Sequence, residues 1–330
     1  MATFLLRRFL IMIPTVLIIS VISFVLIQLP PGDFLTTIIR EYEEIGRPLT
    51  RSEIARLDGL RELYGLDRPV YVQYFKWIGG VLRGNFGYSF EYNRAVSDII
   101  ASRIGMTLIV SVASLIFTWV VAFPIGFYSA VKQYSIGDNV FTLLGFLGLA
   151  IPNFLLALVL LFLAFTQLGV TLGGLNSREF LGAPMSWAKF VDMLPYLVVP
   201  MIVIGTAGTA SLIRVMRNNL LDELQKPYVI MARSKGLSEI RLLLKYPVRI
   251  AINPFLSTAG WLLPMLFSGQ AITAVVLSLP TMGPVLLEAL MAQDMYLAGS
   301  IVFIMALLTI VGTVISDILL AVADPRIRYD

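Results

Sequence analysis

The stretch FLIMIPTVLIISVISFVLIQL, residues 9–29, contains 21 consecutive residues without a charged side chain. An α-helix needs roughly 20 apolar residues to cross the hydrocarbon core of a bilayer. Arg7 and Arg8 precede the stretch, as they would in a secretory signal peptide. A signal peptide has a shorter apolar core, of about 7–15 residues, and a small-residue cleavage motif that is missing here. The stretch therefore predicts a transmembrane helix that the protein retains.

The composition extends this prediction to the whole chain. Of the 330 residues, 58% are hydrophobic and 14% are charged, and the mean hydropathy is +0.84. Soluble domains carry about 25% charged and about 45–50% apolar residues. Five further apolar stretches are long enough to span a bilayer: residues 104–131, 140–166, 194–213, 252–276 and 298–322. The sequence thus predicts an all-α integral membrane protein with six transmembrane helices.

The residue types that are missing exclude several classes of protein. The chain has no cysteine and no histidine. The first absence excludes disulfides and thiolate metal sites, and the second excludes histidine-ligated haem, zinc peptidases and Ser–His hydrolases. The phosphate-binding pattern G-x-x-x-x-G-K-[ST] is missing as well. We expect a protein that is not an enzyme and that binds no metal ion or cofactor itself.

Positive charge is distributed unevenly between the loops, which predicts the orientation of the chain. With the N-terminus inside, the basic residues on the cytoplasmic side are Arg7, Arg8, Lys132, Arg326, Arg328 and eight between positions 214 and 249. The short outer loops receive only Arg178 and Lys189. Both termini are therefore predicted to be cytoplasmic.

We interpret residues 1–330 as one membrane domain with two notable segments outside the spans. Residues 30–102 form a long outer extension, in which Thr50 or Ser52 is expected to cap a helix. The apolar positions of that helix are three residues apart: Ile54, Leu57, Leu60 and Leu63. The aromatic and glycine-rich remainder fits a helix and turns at the membrane surface. The second segment, residues 214–249, is called the basic segment below.

The basic segment is predicted to contain two short helices separated by a glycine. Pro227 suits the first helical position because its missing N–H would be unsatisfied there. One face of the first helix is predicted to consist of Tyr228, Met231, Ala232 and Lys235. Gly236 would end that helix in the left-handed conformation, and Ser238 would cap the second helix. The apolar face of the second helix is predicted to consist of Ile240, Leu243 and Leu244.

Two uses of the basic segment are consistent with its composition. The lysines and arginines of an amphipathic helix bind anionic lipid head groups. A docking surface for a cytosolic partner is the alternative, and it also accounts for a glycine between two capped helices.

The predicted spans contain no ionisable residue near their centres. Proton- or sodium-coupled carriers keep such residues there, so a secondary transporter is disfavoured. Asp317, near the cytoplasmic end of the last span, is the only acid inside a span, and a structural role is expected for it. Asn153, Thr209 and Gln270 are candidates for lining a solute pathway, with helix packing as the alternative. The small-residue run GTAGTAS, residues 205–211, would let helices approach closely.

A proline- and glycine-rich turn, LPTMGP, precedes the last span at residues 279–284. The amphipathic stretch 286–295 that follows contains Glu288 and Asp294. We expect either a short helix at the outer surface that closes the mouth of the pathway, or an ordinary solvated loop.

Short motifs are distributed along nearly the whole chain. ARSKG, residues 232–236, is followed eighteen residues later by Pro254. The others are LLRR (5–8), PPGD (30–33), YGLDRPVYVQY (64–74), LRGNFGYSF (82–90), LAIPNF (149–154), LPTMGPVLLEAL (279–290) and ADPRIRY (323–329). In their order and spacing these motifs resemble ABC-importer permeases, in particular the first permease subunit of the peptide/nickel type.

This resemblance implies the type I ABC-importer permease fold. Residues 228–235 would be the coupling helix that sits in a groove of a cytosolic ATPase. The contact residues implied are Tyr228, Met231, Ala232, Arg233, Lys235 and Gly236. The family pattern begins with Glu-Ala-Ala where this chain has Ile230, Met231 and Ala232. The ATPase contacts would therefore be apolar, or made by Arg233 and Lys235.

The resemblance also implies partners, location and cargo. The partners would be a second, homologous permease, two ATPases that hold ATP and Mg²⁺, an extracytoplasmic solute-binding protein and membrane lipid, with no nucleic acid. The location would be a bacterial or archaeal cytoplasmic membrane, crossed several times. The cargo would be oligopeptides or dipeptides, with oligosaccharides as the alternative. A channel or carrier that works without ATP is the alternative from another class.

Overall fold

The computed structural model describes residues 2–28, 50–65, 68–257 and 271–323, and the isolated positions 39, 42 and 46. In chain order its helices include α1 (Ala2–Gln28), α2 (Arg51–Tyr64), α3 (Val70–Val81), α4 (Val96–Val131), α5 (Ile136–Ala150), α6 (Asn153–Leu168), α7 (Trp187–Leu224), α8 (Pro227–Ser234), α9 (Glu239–Lys245), α10 (Pro247–Ala251), α11 (Ala271–Val276), α12 (Met282–Met291) and α13 (Met295–Ala323). The two-residue strands β1 (Tyr88–Ser89) and β2 (Arg94–Ala95) pair antiparallel, and Arg178–Phe180 is a turn of 3-10 helix.

Three helices are long and apolar enough to cross a membrane by themselves, namely α4, α7 and Met295–Val322 of α13. They contain the predicted spans 104–131, 194–213 and 298–322, and the prediction of an all-α membrane protein is confirmed. In α1 the apolar part Leu10–Val25 lies within the first predicted span. The predicted span 252–276 includes residues 258–270, which lie outside the described residues. The number of six spans therefore stays a prediction.

The predicted span 140–166 is not one continuous helix, so the expectation of an unbroken helix there was wrong. The segment is divided between α5 and α6, which are bent by 104° at Ile151 and Pro152. Whether the bent pair crosses the membrane as one span stays a prediction. Proline has no backbone N–H to give to a helix, and it disfavours the helical conformation of the residue before it. Ile151 is accordingly extended, with φ −83° and ψ 122°. Asn153 is the first residue of α6.

The chain forms two compact units, of which the first comprises Met1–Met106 and Thr281–Leu308. Its aromatic core is built by α1, α3 and the first turns of α13. The ring centroids of Phe24 and Trp77 are 5.7 Å apart, and those of Trp77 and Phe303 are 5.8 Å apart. The indole N–H of Trp77 also donates to the Ser300 hydroxyl at 3.3 Å. The helix expected in this aromatic segment is confirmed, but its buried side was not predicted.

Helix α2, in the same unit, begins at the predicted cap. The Thr50 hydroxyl accepts from the N–H of Glu53 at 3.3 Å, and the Glu53 carboxylate accepts from the N–H of Thr50 at 2.8 Å. These reciprocal bonds form a capping box, which satisfies two N–H groups at the start of the helix. Of the two candidates, Thr50 is therefore the cap.

A buried carboxylate holds the short β-hairpin in this unit. Asp294 is completely buried and accepts hydrogen bonds from the Ser89 hydroxyl at 2.7 Å and from the N–H of Glu91 at 3.2 Å. Burial raises the pKa of Asp294 above its usual range, and the hydrogen bonds oppose this effect. The short helix expected at 286–295 is present as α12, and its place at the outer surface stays a prediction. Asp294 lies beyond this helix, buried at the start of α13. The hairpin was not predicted.

The second unit comprises Thr107–Pro280 and Thr309–Asp330. Its core includes Leu212, Met216 and Leu220 of α7 and Ala122 and Ala130 of α4. Glycines allow the two helices to approach closely. A Cβ atom on Gly126 would lie 2.7 Å from the Met216 side chain, and one on Gly205 would lie 2.6 Å from the Phe117 ring. The close approach predicted for the run 205–211 is confirmed.

A buried ion pair joins the start of α5 to α7. Arg217 donates from Nε and Nη2 to the two carboxylate oxygens of Asp138, each at 3.0 Å. The side chain of Asp138 is 2% exposed and that of Arg217 is 21% exposed. The N–H of Tyr134 donates to the same carboxylate at 2.9 Å. Because a bidentate guanidinium–carboxylate pair has one favoured geometry, it fixes the register of α5 against α7. No motif in the sequence predicted this pair.

Asp138→Asn should destabilise the protein, because it nearly preserves the shape of the side chain but leaves the Arg217 guanidinium without its counter-charge. We expect the free energy of unfolding to fall by roughly 2–3 kcal/mol, between the values for exposed and fully buried pairs. Denaturant unfolding of the purified protein in detergent measures this change. Asp222→Asn, at an exposed carboxylate of α7, is the matched control, and an equal loss in both variants would contradict the role of the pair.

Candidate functional site

The basic segment has the backbone that its sequence predicts. Pro227 is the first residue of α8, and Lys226 before it is extended, with φ −70° and ψ 144°. Gly236 has a φ of +78°, in the left-handed region that glycine adopts without a steric penalty. Ser238 then precedes α9 in an extended conformation, and no backbone N–H of the helix donates to its hydroxyl. The helix–glycine–helix arrangement is confirmed, and the capping bond at Ser238 is not formed.

Four side chains form an inner core between α8 and α9. Val229 and Leu242 are completely buried, and Ala232 and Leu243 are nearly so. The hydrophobic side chains packed against this inner core are Phe127, Leu224, Leu237 and Tyr246. Since Phe127 belongs to α4 and Leu224 to α7, the inner core attaches the two short helices to the ends of two long ones.

The predicted faces of both short helices are shifted relative to the buried ones. Ala232, expected to contact an ATPase, lies in the inner core. On α9, Leu243 is buried as predicted. The other two residues of its predicted apolar face, Ile240 and Leu244, are 72% and 54% exposed, and Leu242 is buried in their place. Helical periodicity predicts which residues lie on the same side of a helix. It does not predict which of two adjacent apolar sides packs against the rest of the protein. Sequence reasoning missed Val229 and Leu242 for this reason.

The side of α8 opposite the inner core is apolar and exposed, and α9 has exposed apolar side chains of its own. Met231 is 60% exposed and Ile230 is 53% exposed. We call the exposed apolar residues of the two helices the outer face; they are Tyr228, Ile230, Met231, Ile240 and Leu244. Large apolar side chains gathered at a protein surface mark a site of interaction. The basic segment thus presents an apolar surface as well as positive charge.

An exposed ion pair spans the glycine between the two helices. Arg233 donates from Nη2 and Nε to the carboxylate of Glu239, at 2.6 Å and 3.1 Å. The pairing lowers the pKa of Glu239 and raises that of Arg233. About half of each side chain is exposed, so salt screens the pair and it adds little to stability. Of the two basic residues expected to contact an ATPase, Arg233 is therefore already paired, and Lys235 is exposed at the end of α8.

The three predicted pathway residues lie in different parts of the chain. Asn153 is partly exposed at the start of α6. Thr209 is buried within α7, and its hydroxyl has no hydrogen-bond partner among the described residues. Gln270 lies outside the described residues. Their role in a pathway stays a prediction.

Comparison with known proteins assigns the chain to a family. Residues 122–329 match the family described as "Binding-protein-dependent transport system inner membrane component". Residues 1–112 match the corresponding N-terminal family, "Binding-prot-dependent transport system membrane comp, N-term". The chain belongs to this family of transport components. The resemblance to ABC-importer permeases and the multi-pass location in a cytoplasmic membrane are thereby confirmed.

The permease is similar to curated relatives along its whole length. The oligopeptide transport system permease protein AppB of Bacillus subtilis is 34% identical over 333 residues, which cover 100% of each chain. A putative peptide permease protein of Brucella ovis is 32% identical over 330 residues, 99% of each chain. The dipeptide transport system permease protein DppB of Escherichia coli K12 is 30% identical over 345 residues, 100% of this chain and 99% of its own.

Family membership decides between the classes of function considered for the chain. The permease is a membrane component of a transport system and not an enzyme, and the system depends on a binding protein. A free-standing channel or carrier is not supported. Among the described residues, no group of three or more acidic side chains could hold a metal ion.

Leu242→Ala and Ile240→Ala form a matched pair of tests for the inner core. The first removes a completely buried side chain and the second an exposed one of the same size from the same helix. Truncation of a buried leucine to alanine lowers the free energy of unfolding by about 2–5 kcal/mol, whereas truncation of a surface side chain changes it little. We therefore expect faster hydrogen exchange of the α8 and α9 amides in Leu242→Ala only. Equal exchange in the two variants would contradict the inner core.

Proposed function

We propose that this permease forms the translocation pathway for peptides in an ATP-driven importer, and that the outer face of the basic segment is the docking site for an ATPase subunit. The exposed apolar outer face above a buried inner core is the observation that supports docking. Full-length similarity to relatives named as oligopeptide and dipeptide permeases supports peptides as the cargo.

Docking would remove the outer face from water. Burial of apolar surface contributes roughly 25 cal/mol per Å². A short helix with exposed apolar anchors suits a groove on a partner, because its side chains can fill pockets along that groove. Ile230 and Met231 provide such anchors at the positions where the family pattern has Glu-Ala. Lys235, exposed at the end of α8, would pair with an acidic rim and orient the complex.

The inner core would carry movement of the ATPase to the membrane helices. Its side chains pack against Phe127 of α4 and Leu224 of α7. Closely packed side chains resist compression, so a displacement of α8 would move the ends of these helices. Arg217, seven residues before Leu224, also ties α7 to Asp138 of α5. ATP-driven closure of the docked subunits would therefore shift α4, α5 and α7 together.

The same proposal assigns the remaining partners. A second, homologous permease would complete the pathway, and two ATPases would hold ATP and Mg²⁺, so that this chain needs no cofactor of its own. A solute-binding protein would deliver the peptide at the outer side. There the hairpin held by Asp294 would offer it a fixed surface. Oligosaccharides are the alternative cargo.

Met231→Asp should weaken ATPase docking, because it would bury a charge in an apolar contact. Ile136→Asp is the control, since it also replaces an exposed apolar side chain, at the start of α5, where a helix N-terminus favours an acidic residue. We expect co-purification of the ATPase subunits to fall at least about tenfold in Met231→Asp, equivalent to about 1.4 kcal/mol, and to be unchanged in the control. Unchanged co-purification of the ATPase subunits in both variants would contradict the docking proposal.

Gly236→Pro should abolish transport while leaving the protein in the membrane. Proline fixes φ near −65°, far from +78°, and it would lose the bond from the N–H of Gly236 to the Arg233 carbonyl at 3.0 Å. Gly236→Asn is the control because asparagine tolerates the left-handed conformation. The measurement is ATP-dependent uptake of labelled peptides into vesicles that contain the complete transporter. Normal uptake by Gly236→Pro would refute the docking role, and uptake of oligosaccharides but not peptides would refute the proposed cargo.

A further inference from the structure

A cavity of about 300 Å³ lies between the first half of α5 and residues 210–218 of α7. The side chains that determine its chemistry are Tyr134, Asp138, Phe146, Arg214, Arg217 and Asn218. The volume is at the lower end of the range of about 300–1,000 Å³ that small-molecule sites occupy. All of these residues belong to the second unit.

The charges around this cavity do not cancel. Arg217 is neutralised by its bidentate pair with Asp138. Arg214, one turn earlier on α7, is exposed, and its guanidinium lies over the Phe146 ring at 5.0 Å from the centroid. The structure gives Arg214 no carboxylate partner among the described residues. An aromatic ring orients a guanidinium without neutralising it, so the cavity keeps one positive charge at its wall.

The surroundings of the cavity combine an apolar surface with a position at the edge of the membrane. On α5, Leu143, Leu144 and Leu147 are all about half exposed. Tyr134, 77% exposed, stands in the turn before α5, and tyrosine is enriched at the membrane–water interface. The predicted orientation puts this turn and Arg214 at the cytoplasmic surface, where anionic lipids create a negative potential.

We propose that the cavity binds the head group of an anionic phospholipid from the cytoplasmic leaflet. The Arg214 guanidinium would bind the phosphate through two parallel N–H donors. The amides of Asn139 and Asn218 in the lining would bind the remaining head-group oxygens, and the acyl chains would lie along the exposed leucines of α5. Asp138 does not repel the phosphate because Arg217 already neutralises it. Basic pockets between transmembrane helices on the cytoplasmic side bind such head groups.

A lipid bound in this way would brace α5 against α7 beside their ion pair. Arg214 lies ten residues before Leu224, which packs against the inner core of the basic segment. The lipid composition of the membrane would therefore influence the part of α7 from which the basic segment extends.

Lipid retention by the complete transport complex tests this proposal. The complex is reconstituted in phosphatidylcholine with a minor fraction of phosphatidylglycerol, extracted gently, and analysed by native mass spectrometry. We expect preferential retention of phosphatidylglycerol, reduced about tenfold by Arg214→Gln and largely restored by Arg214→Lys. Arg241→Gln, at an exposed arginine of α9, is the matched control and should retain the lipid. Gly145→Leu should also lose it, because a Cβ on Gly145 meets only Ala210, at 3.9 Å, and a larger side chain would fill the cavity.

Four results would overturn the proposal. Unchanged retention in both Arg214→Gln and Gly145→Leu would show that the cavity is not the site. Equal loss in Arg241→Gln would indicate a general attraction to positive charge. Displacement of the lipid by millimolar inorganic phosphate would assign the cavity to a free anion. Capture of the second permease, and not of lipid, by a photo-crosslinking residue at position 139 would show that a protein covers it.

Discussion

Asp138 and Arg217 are opposite charges held largely out of water in a chain of which only 14% is charged, and the second unit depends on their pairing. Removing two ions from water is costly unless each finds its partner in good geometry. The two hydrogen bonds from the guanidinium to the carboxylate can both form only in one register of α5 against α7. Glycines on α4 and α7 allow these two helices to pack closely in the core of the second unit. The end of α7 in turn packs against the inner core and so positions the basic segment.

The basic segment joins two kinds of surface within two short helices. Val229 and Leu242 are hidden on one side, where they meet the ends of the long helices. Met231 and Ile240 are exposed on the other side, where a soluble protein would normally place polar residues. The exposed Arg233–Glu239 pair contributes little, so the buried contacts decide how α8 and α9 are held. A partner that binds the exposed side would therefore contact two helices that are packed against the rest of the protein.

The features that the sequence predicted are those in which neighbouring residues decide the structure. Thr50 caps α2, Pro227 begins α8 and Gly236 adopts a positive φ, because each depends on the chemistry of a few adjacent groups. The bend at Pro152 was missed because hydrophobicity continues across it and suggested a single span. Asp138 and Arg217 are 79 residues apart, and Ser89 and Asp294 are 205 apart. Such contacts, like the choice of Leu242 over Ile240 as the buried residue, arise from tertiary packing that no local pattern contains.

The separation of Val229 and Leu242 from Met231 and Ile240 also has an evolutionary consequence. Substitutions on the exposed side change the surface of the segment and leave the buried contacts of Val229 and Leu242 in place. A duplicated permease gene could thus diverge at a few exposed codons, with the packing against the membrane helices unchanged. The two-sided construction of α8 and α9 makes the outer surface of the basic segment a separately adjustable trait.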